Sequence, residues 1–374
     1  MTGFAELHHD VVFGRSAGRI IWQPRIQCWY TDKLVAGQDL PPPYTGMSIV
    51  EVYRALGCSN RLYPWFNPCF RRVEPASVRR VEERLDQTDT RTTTETPVGK
   101  HVRVDRTSRS TAMTMPLRWP VETEEELRVE TWIAEHTSWE WDQDLFERSV
   151  REVGDLGAPT VYLPRMNVQD LYINTMGVEN ATYALFDWPD TVEAYFRALD
   201  GCHDRLIDVV SASPIDIINF GENVHAATLS PALFERYHLP ACRQRCDRLH
   251  AAAKFVSSHW DGDCGPLLRY ARETNLDGIE AITPQPQGDV TLEQVKDALG
   301  DEMFLLDGIP AVLFDETYPV ETLIECTHRI IDMFAPRLVL GISDELSSTG
   351  DIERVRMVGE IVQAHNDRLA RGSS

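Results

Sequence analysis

Several features that would assign this chain to a common functional class are missing. No run of about 18 or more apolar residues occurs, and the first residues, MTGFAELHHDVVFGR, lack the charged and apolar regions of a signal peptide. The 37 Lys and Arg residues are outnumbered by 58 Asp and Glu residues, and the formal net charge is −21. This balance argues against a nucleic-acid partner, because phosphate contacts need clustered basic residues. We therefore expect a cytoplasmic protein that binds neither membranes nor nucleic acid.

Cysteine pairs and glycine-rich loops are missing as well. The eight cysteines include no C-x-x-C pair, so neither a zinc ribbon nor a disulfide scaffold is indicated. The sequence has no G-x-G-x-x-G or G-x-x-x-x-G-K segment. A doubly wound nucleotide-binding sheet usually carries such a loop after its first strand, so this absence counts against that fold.

From about residue 155 the sequence alternates between short apolar runs and amphipathic helical stretches. The apolar runs lie in PTVYLPR, IDIINFGEN, KFVSSHW, DGIEAI, EMFLLDGI and RLVLGIS. This repeated βα pattern predicts a parallel sheet covered by helices. Six units account for most of an eight-stranded barrel, so we predict an α/β protein with a (β/α)8 TIM barrel whose main repeats span residues 155–370.

The first 150 residues have a different pattern and predict an elaboration of the barrel. The stretch 91–120 is rich in Thr, Val and Arg, and its TPVG segment predicts the turn of an antiparallel β-hairpin. The following ETEEELRVETWIAEHTSWEWDQDLFERSVREVG predicts an acidic helix. We therefore predict a single domain over residues 1–374, with helical and hairpin additions in residues 1–150.

Polar side chains follow the predicted strands, where barrel enzymes place their chemistry. They are Arg165, Asn167, Glu222, Asn223, His225, His259, Asp261, Glu280, Asp307, Asp344 and Glu345. In a closed barrel these residues would converge on one mouth. The alternative is a set of structural salt bridges across the rim.

Among these strand ends, the segment SSHWDGDC has its His and Asp side chains closest together in the sequence. It fits a metal site, an acid/base site or a polar loop. The hard N/O ligands that it and two later strand ends could supply are His259, Asp261, Glu280 and Asp344. Such a set suits Zn, Fe(II) or Mn(II), and Asp263 could replace Asp261. Cys264 falls at a predicted helix start, where its thiol pKa could be lowered or its side chain could be buried.

From about residue 95 onward the order of features resembles the uroporphyrinogen decarboxylase-like superfamily. The matching segments are TPVG, WPVETEEEL, GVENATYALFDWPDTVEAYFRAL, GENVHAATLSPALFERYHLPACRQRCDRLHAAAKFV, LDGIEA, LGDEMFLLDGI and RLVLGIS. The resemblance implies a TIM barrel with its active site at the carboxyl ends of the strands. The chain is closest in character to the corrinoid-dependent methyltransferase branch.

In those methyltransferases a His-x-Cys segment and a later Cys hold zinc, sometimes with a Glu between them. His259 stands at the histidine position, and Asp261 stands where Cys is expected. Glu280 and Asp344 follow His259 by 21 and 85 residues, near the positions of the Glu and the last Cys. The resemblance thus implies a divalent metal, zinc first, with carboxylates in place of thiolates. Such a metal is more Lewis-acidic, so we expect a methoxy compound or phenol as substrate instead of a thiol.

The function that the resemblance implies is transfer of a methyl group from a small methylated substrate to a corrinoid. A separate protein would carry the corrinoid, because this chain has no D-x-H-x-x-G segment. Glu222 and Asn223 would position the substrate or donate a proton, and Arg165 would bind an anionic substituent. The superfamily also leads us to expect a homodimer.

An aromatic cluster near the N-terminus predicts a wall for a small aromatic or apolar ligand, with core or dimer packing as the alternative. The predicted substrate-binding residues are Trp22, Arg25, Tyr63, Trp65 and Asp307. Two other functions stay open. One is a decarboxylase or lyase in which Arg19, Arg25 or Arg61 grips a small carboxylate. The other is a non-catalytic barrel that binds a tetrapyrrole, a corrinoid or a small aromatic compound.

Overall fold

The computed structural model describes residues 3–372. Its strands are β1 (Ile21–Trp22), β2 (Phe70–Val73), β3 (Arg79–Arg84), β4 (Asp89–Thr96), β5 (Gly99–Thr107), β6 (Thr114–Arg118), β7 (Ser138–Trp141), β8 (Thr160–Leu163), β9 (Ile217–Phe220), β10 (Phe255–His259), β11 (Gly278–Glu280), β12 (Phe304–Pro310) and β13 (Leu338–Ser343). Its α-helices are α1 (Phe4–Val12), α2 (Gln27–Val35), α3 (Ile49–Leu56), α4 (Tyr63–Phe66), α5 (Glu124–His136), α6 (Gln143–Val153), α7 (Asn167–Asp170), α8 (Val178–Asp187), α9 (Pro189–Ala212), α10 (Pro231–Leu233), α11 (Leu239–Ala251), α12 (Leu292–Leu299), α13 (Val320–Phe334) and α14 (Ile352–Gly372). Shorter 3₁₀ or π turns cover Asn67–Cys69, Leu171–Thr175, Phe234–His238, Gly265–Glu273 and Ala311–Phe314.

Among the described residues, seven strands form one curved parallel sheet in the order β1-β13-β12-β11-β10-β9-β8. The six strands expected from the apolar runs after residue 155 are β8 to β13, and each pairs in parallel with the next. Every residue of β9 to β13 is buried. Burial on both faces is the reason that these strands are nearly continuous apolar runs. The predicted α/β fold of the TIM-barrel type is confirmed.

An irregular segment fills the gap between the two edge strands of this sheet. The Ser59 backbone N–H donates to the Trp22 carbonyl at 3.0 Å, and that of Asn60 donates to the Leu156 carbonyl at 3.2 Å. This segment therefore bridges β1 and the chain that leads into β8, and it takes the remaining position of the barrel. The first 150 residues thus supply part of the barrel as well as its additions, which the sequence pattern did not indicate. Pairing regions this short carry no measurable two-residue period.

The predicted hairpin is β4–β5, whose strands pair from Asp89–Arg106 to Thr96–Gly99 around the TPVG turn. Strands β3 and β6 extend it to a four-stranded antiparallel sheet, β3-β4-β5-β6, which we call the meander. The predicted acidic helix is instead α5 and α6, with β7 between them. Strand β7 pairs with β2, and its Ser-Trp-Glu-Trp sequence alternates between exposed and half-buried residues. That alternation, and not the overall acidity, decides the local structure.

Helix α12 buries one face against the rest of the protein and exposes the other. Helix α12 illustrates the local signals, because Thr291 and Gln294 form a capping box at its start. Its buried residues, Leu292, Val295 and Leu299, recur at helical spacing. Among residues 3–372, no helix is both long and apolar enough to cross a membrane.

Candidate active site

A cavity of about 530 Å³ lies at the carboxyl ends of the barrel strands, and we call it the barrel-mouth cavity. The residues predicted for the site that line it are Arg25, Tyr63, Arg165, Glu222, Asn223, His259 and Asp344. The first and the last of them, Arg25 and Asp344, are more than 300 residues apart in the chain. They meet because parallel strands of one barrel end at the same rim.

Three side chains at this rim form a potential metal-binding group. His259, Asp261 and Asp344 each offer one ligand atom, and these atoms lie within 4.8 Å of one another. His259 ends β10, whereas Asp344 directly follows β13 with a positive φ of 68°. A non-glycine residue with positive φ is uncommon and often marks a functional site. The Val224 backbone holds the loop, because it accepts from Asp261 N–H at 3.2 Å and donates to the His259 carbonyl at 3.3 Å.

The protonation states of this group suit a divalent cation. Burial lowers the pKa of His259 well below its ordinary value, and the positive charges of Arg25 and Arg61 act in the same direction. The imidazole is therefore neutral, which is the form that binds metals. Burial, followed by the charge of Asp344, raises the pKa of Asp261, so a cation between the two carboxylates would be favourable. One nitrogen and two oxygen donors leave a coordination position open, as in catalytic zinc sites.

Glu280 lies behind His259 and outside the three-residue group. The two residues end neighbouring strands and are paired in register. His259 Nδ1 lies 3.3 Å from Glu280 Oε2, which also accepts from Asn219 Nδ2 at 2.8 Å. Its other oxygen accepts from Arg61 and Tyr162. Arg25 Nη1, which can only donate, also lies 3.4 Å from Nδ1. Glu280 Oε2 is the nearer of the two, so we assign Nδ1 as the proton donor to Glu280, which leaves Nε2 to bind a metal.

Arg25 brings a positive charge to the metal-binding group. Its Nη1 lies 3.5 Å from Asp344 Oδ1, and its Nε lies 3.4 Å from Glu345 Oε1. The Arg25 carbonyl accepts from the Leu346 N–H at 2.8 Å, which ties this arginine to the loop after β13. Arg25 thus neutralises Asp344, and a bound cation would compete with it for that carboxylate.

Asp307 lies beneath the cavity in a buried ion pair. It is fully buried and accepts from both terminal nitrogens of Arg61, one of them at 3.0 Å. Gly341 on the adjacent strand makes room for it, because a Cβ at that position would lie 2.0 Å from Asp307 Oδ1. The predicted substrate-binding Asp307 therefore supports the site from below, and substrate in the cavity would meet other groups first.

Trp22 and Trp65, also predicted to bind substrate, lie elsewhere. Trp22 is 3% exposed, and its indole N–H donates to the Val355 carbonyl at 3.1 Å inside the core. The Trp65 indole donates to Glu152 Oε1 at 2.9 Å near the surface. For these two residues the alternative of ordinary packing describes the structure.

Tyrosines form the aromatic part of the barrel-mouth cavity. The rings of Tyr63 and Tyr162 stack with centroids 4.1 Å apart, and both line the cavity. The pattern of polar strand ends does not include Tyr162 and Asn219, because these two residues lie inside β8 and β9. A polar residue within an otherwise apolar, buried strand was the available signal, since such a residue needs a partner.

Glu222 is a buried acid on the wall of the cavity. It is 1% exposed, and its Oε1 accepts from the Met166 N–H at 2.8 Å. Among the described residues, Oε2 has no hydrogen-bond partner. Burial raises the pKa of Glu222 from 4.5 to about 8, so the acid holds its proton at neutral pH. Arg165 and Asn223 line the same cavity.

Cys264 is a buried thiol and not an activated one. Its Sγ donates to the Val224 carbonyl at 3.3 Å, and burial raises the pKa of the thiol. Asp263, the alternative to Asp261, is exposed. Of the two readings of Cys264, burial is the one that the structure has.

No protein-family model matches this chain, and no curated protein is a significant match to it in sequence. Among solved structures, it is similar to a methyltransferase from Methanosarcina mazei, with a TM-score of 0.60 and 9% identity over 98% of this chain and 99% of that one. A protein from Listeria monocytogenes described as a vitamin-B12 independent methionine synthase is 12% identical over 92% and 96% of the two chains. Its TM-score of 0.43 is too low to support an argument. This chain therefore shares the fold of the Methanosarcina methyltransferase over nearly its whole length.

Proposed function

We propose that this protein is a metal-dependent methyltransferase or O-demethylase, which moves a methyl group from a small methylated substrate to a corrinoid on a separate protein. The group of His259, Asp261 and Asp344 carries the proposal, because one neutral imidazole and two carboxylates at a barrel mouth suit a catalytic divalent metal. Zinc is our first choice of metal. The methyltransferase from Methanosarcina mazei, which has a similar fold, is in keeping with methyl transfer.

The protein side chains around the metal-binding group would position the substrate and supply a proton. When bound, the metal would act as a Lewis acid toward the ether oxygen of the substrate. Glu222 would donate its proton to that oxygen as the bond to the methyl carbon breaks, since a buried acid with a pKa of about 8 is still protonated at neutral pH. Asn223 would orient the substrate from the same wall. Glu280 would hold the imidazole of His259 in place through Nδ1.

The walls of the barrel-mouth cavity favour an aromatic substrate with an anionic group. The stacked rings of Tyr63 and Tyr162 offer a flat surface to an aromatic ring. Arg165 and Arg25 line the same cavity and would pair with a carboxylate. A methoxybenzoate has these features and is the substrate class that we propose.

The methyl acceptor would be carried by a partner. This chain has no D-x-H-x-x-G segment, so we propose that the corrinoid is bound to a separate protein that docks over the barrel mouth. Copurification of a corrinoid protein with the tagged chain from its own organism would support this arrangement.

Metal content tests the proposal first. Protein purified in the presence of zinc should contain about one equivalent of metal, and His259→Ala and Asp344→Ala should lose it because each removes a ligand. Asp261→Asn should lower the metal content, whereas Asp263→Asn, two residues away and exposed, is the matched control and should not. A wild-type protein without metal, or a His259→Ala variant that keeps it, would refute the metal site.

Turnover is the second test. Wild-type protein with zinc, a methoxybenzoate and a reduced free corrinoid should form the phenol and the methylated corrinoid. Glu222→Gln should reduce the turnover while keeping the metal, since the amide cannot donate the proton. Equal turnover by the wild type and Glu222→Gln would contradict the proton-donor role.

A decarboxylase is the second candidate, and one arrangement favours it. Arg25 and Arg165 line the same cavity as the protonated Glu222, so a small carboxylate could be gripped while the acid protonates the carbanion. Release of CO₂ from a carboxylate by metal-free protein, unchanged in His259→Ala, would favour this function over methyl transfer.

A further inference from the structure

A second cavity, of about 410 Å³, lies between the meander and the helices α5 and α9. We call it the side cavity, and the residues that matter for its chemistry are Arg80, Thr94, His101, Arg103, Trp139 and His203. Its volume is in the range of small-molecule sites. Pro164 and Asn174 line both cavities, so the side cavity adjoins the barrel mouth without sharing the metal-binding group.

Three buried nitrogens in the wall of the side cavity lack partners. Among residues 3–372, Trp139 Nε1, His101 Nδ1 and His203 Nδ1 make no hydrogen bond. Both histidines are only 5% exposed. Buried polar atoms in folded proteins are almost always paired, so these atoms point to a bound molecule. An indole N–H can only donate, which requires an acceptor on that molecule.

Three arginines of the side cavity form close pairs with two carboxylates. Arg72 and Arg80 share a single carboxylate, because Arg72 Nη2 and Arg80 Nη2 each lie 3.0 Å from Glu74 Oε1. Arg103 pairs with Asp105 at 2.6 Å. Arg103 Nη1 also donates to the Asn174 carbonyl at 3.4 Å. The three guanidinium groups keep further N–H donors outside these contacts, and Glu130 adds a third carboxylate to the same wall. This balance suits a ligand with one negative charge better than a phosphate with nearly two.

The two other acids of the side cavity are already engaged. Glu130 Oε1 lies 2.7 Å from His101 Nε2. Burial acts to raise the pKa of Glu130, but His101 and the charges of Arg72 and Arg80 outweigh it and lower that pKa, so this carboxylate is held by its neighbours. Asp170 accepts from Asn174 Nδ2 at 2.8 Å and from Thr175 Oγ1 at 2.9 Å. Burial raises the pKa of Asp170, which further limits the negative charge that it presents. Donors therefore dominate among the groups still available to a ligand.

The rest of the wall is apolar and includes Pro120, Ala134, Pro164 and Leu199. A few convergent polar groups in an apolar wall are typical of a small-molecule site. We propose that the side cavity binds a small organic monocarboxylate with a compact apolar or aromatic body. The carboxylate accepts hydrogen bonds from Arg103 and Trp139, and the body packs against Ala134 and Leu199. This site is distinct from the barrel mouth, and the inference does not depend on the proposed function.

Calorimetric titration of the full chain with benzoate tests this inference. The titration uses the Arg165→Gln variant as its background, because Arg165 lines the barrel-mouth cavity, where a benzoate would also bind if the proposed function holds. Arg103→Gln should weaken benzoate binding roughly tenfold or more, because a charge-assisted hydrogen bond is lost. Trp139→Phe keeps the ring but removes the N–H, and it should weaken binding several-fold without disturbing the fold. Arg91→Gln is the matched control, since Arg91 lies on the same meander, pairs with Glu83 at 3.0 Å and should leave the affinity unchanged.

Three results would overturn the inference. The first is no saturable benzoate binding up to about 10 mM, which would mean that solvent fills the cavity. The second is benzoate binding by Arg165→Gln that the added Arg103→Gln and Trp139→Phe substitutions leave unchanged, which would place the ligand outside the side cavity. The third is tighter binding of inorganic phosphate than of benzoate. His259→Ala should leave benzoate binding intact. The metal-site proposal and the side-cavity proposal can therefore be refuted independently of each other.

Discussion

Replacing Glu222 by Gln tests whether a buried proton is held at the barrel mouth. The amide has the size of the carboxylic acid and can still accept from the Met166 N–H, which Glu222 Oε1 does at 2.8 Å. Wild type and variant are then equally neutral at low pH. They differ only when the pH rises and the buried acid of the wild type has to ionise.

The magnitude follows from the pKa of Glu222, which burial raises from 4.5 to about 8. A raised pKa means that the folded state holds the proton more tightly, so the associated stability is complete below pH 4.5 and is lost as the pH rises through 8. Each pH unit in that window costs the wild type about 1.4 kcal/mol. The total is about 4 to 5 kcal/mol at alkaline pH, whereas the amide of the Glu222→Gln variant has no proton to lose.

Urea unfolding at several pH values between 5 and 9 measures this difference. The free energy of unfolding of Glu222→Gln minus that of the wild type should rise by about 1.4 kcal/mol per pH unit up to pH 8 and then level off. Glu302→Gln is the matched control, because it makes the same replacement at a side chain that is exposed in the folded protein. Parallel pH profiles for wild type and Glu222→Gln would refute the assignment of a protonated acid.

Two further substitutions probe the support beneath the site. Glu280→Gln should lower the free energy of unfolding in urea by about 3 kcal/mol, because it leaves the buried Arg61 without one of its carboxylates. The same variant should bind zinc about tenfold more weakly or worse, because Glu280 holds the imidazole of His259. An unchanged stability together with an unchanged zinc affinity would contradict this role of Glu280. Gly341→Ala should cost about 1–3 kcal/mol, since the new Cβ would lie 2.0 Å from Asp307 Oδ1. Its control is Gly201→Ala, in the middle of α9 with its nearest neighbour at 3.7 Å, which should stabilise the protein by up to about 1 kcal/mol. Equal thermal shifts for the two alanine variants would contradict the packing argument.

Most of the barrel could be predicted from the sequence, because strands buried on both faces must be apolar runs. KFVSSHW and RLVLGIS became β10 and β13 for that reason. The barrel positions contributed by β1 and by Ser59 and Asn60 could not be predicted. They make a few hydrogen bonds each and have too few residues to show a period.

The aromatic residues near the N-terminus show the same limit for the site. Trp22 and Tyr63 are both aromatic residues in short N-terminal segments of the sequence. The Trp22 indole donates a hydrogen bond to the Val355 carbonyl inside the core, whereas Tyr63 lines the barrel-mouth cavity. Whether such a side chain points into the core or into the cavity depends on the path of its backbone segment across the end of the barrel. The local sequence of these short segments does not predict that path.

The sequence by itself determined which polar residues stand at the strand ends, among them His259, Asp261 and Asp344, because that position is a local property of each strand. Only the tertiary structure decided what each does. Glu280 lies beside Arg61, 219 residues away in the chain, and so acts behind His259 instead of within the three-residue group. The neighbours that neutralise a buried charge come from distant parts of the chain, and their positions are fixed only when the barrel closes.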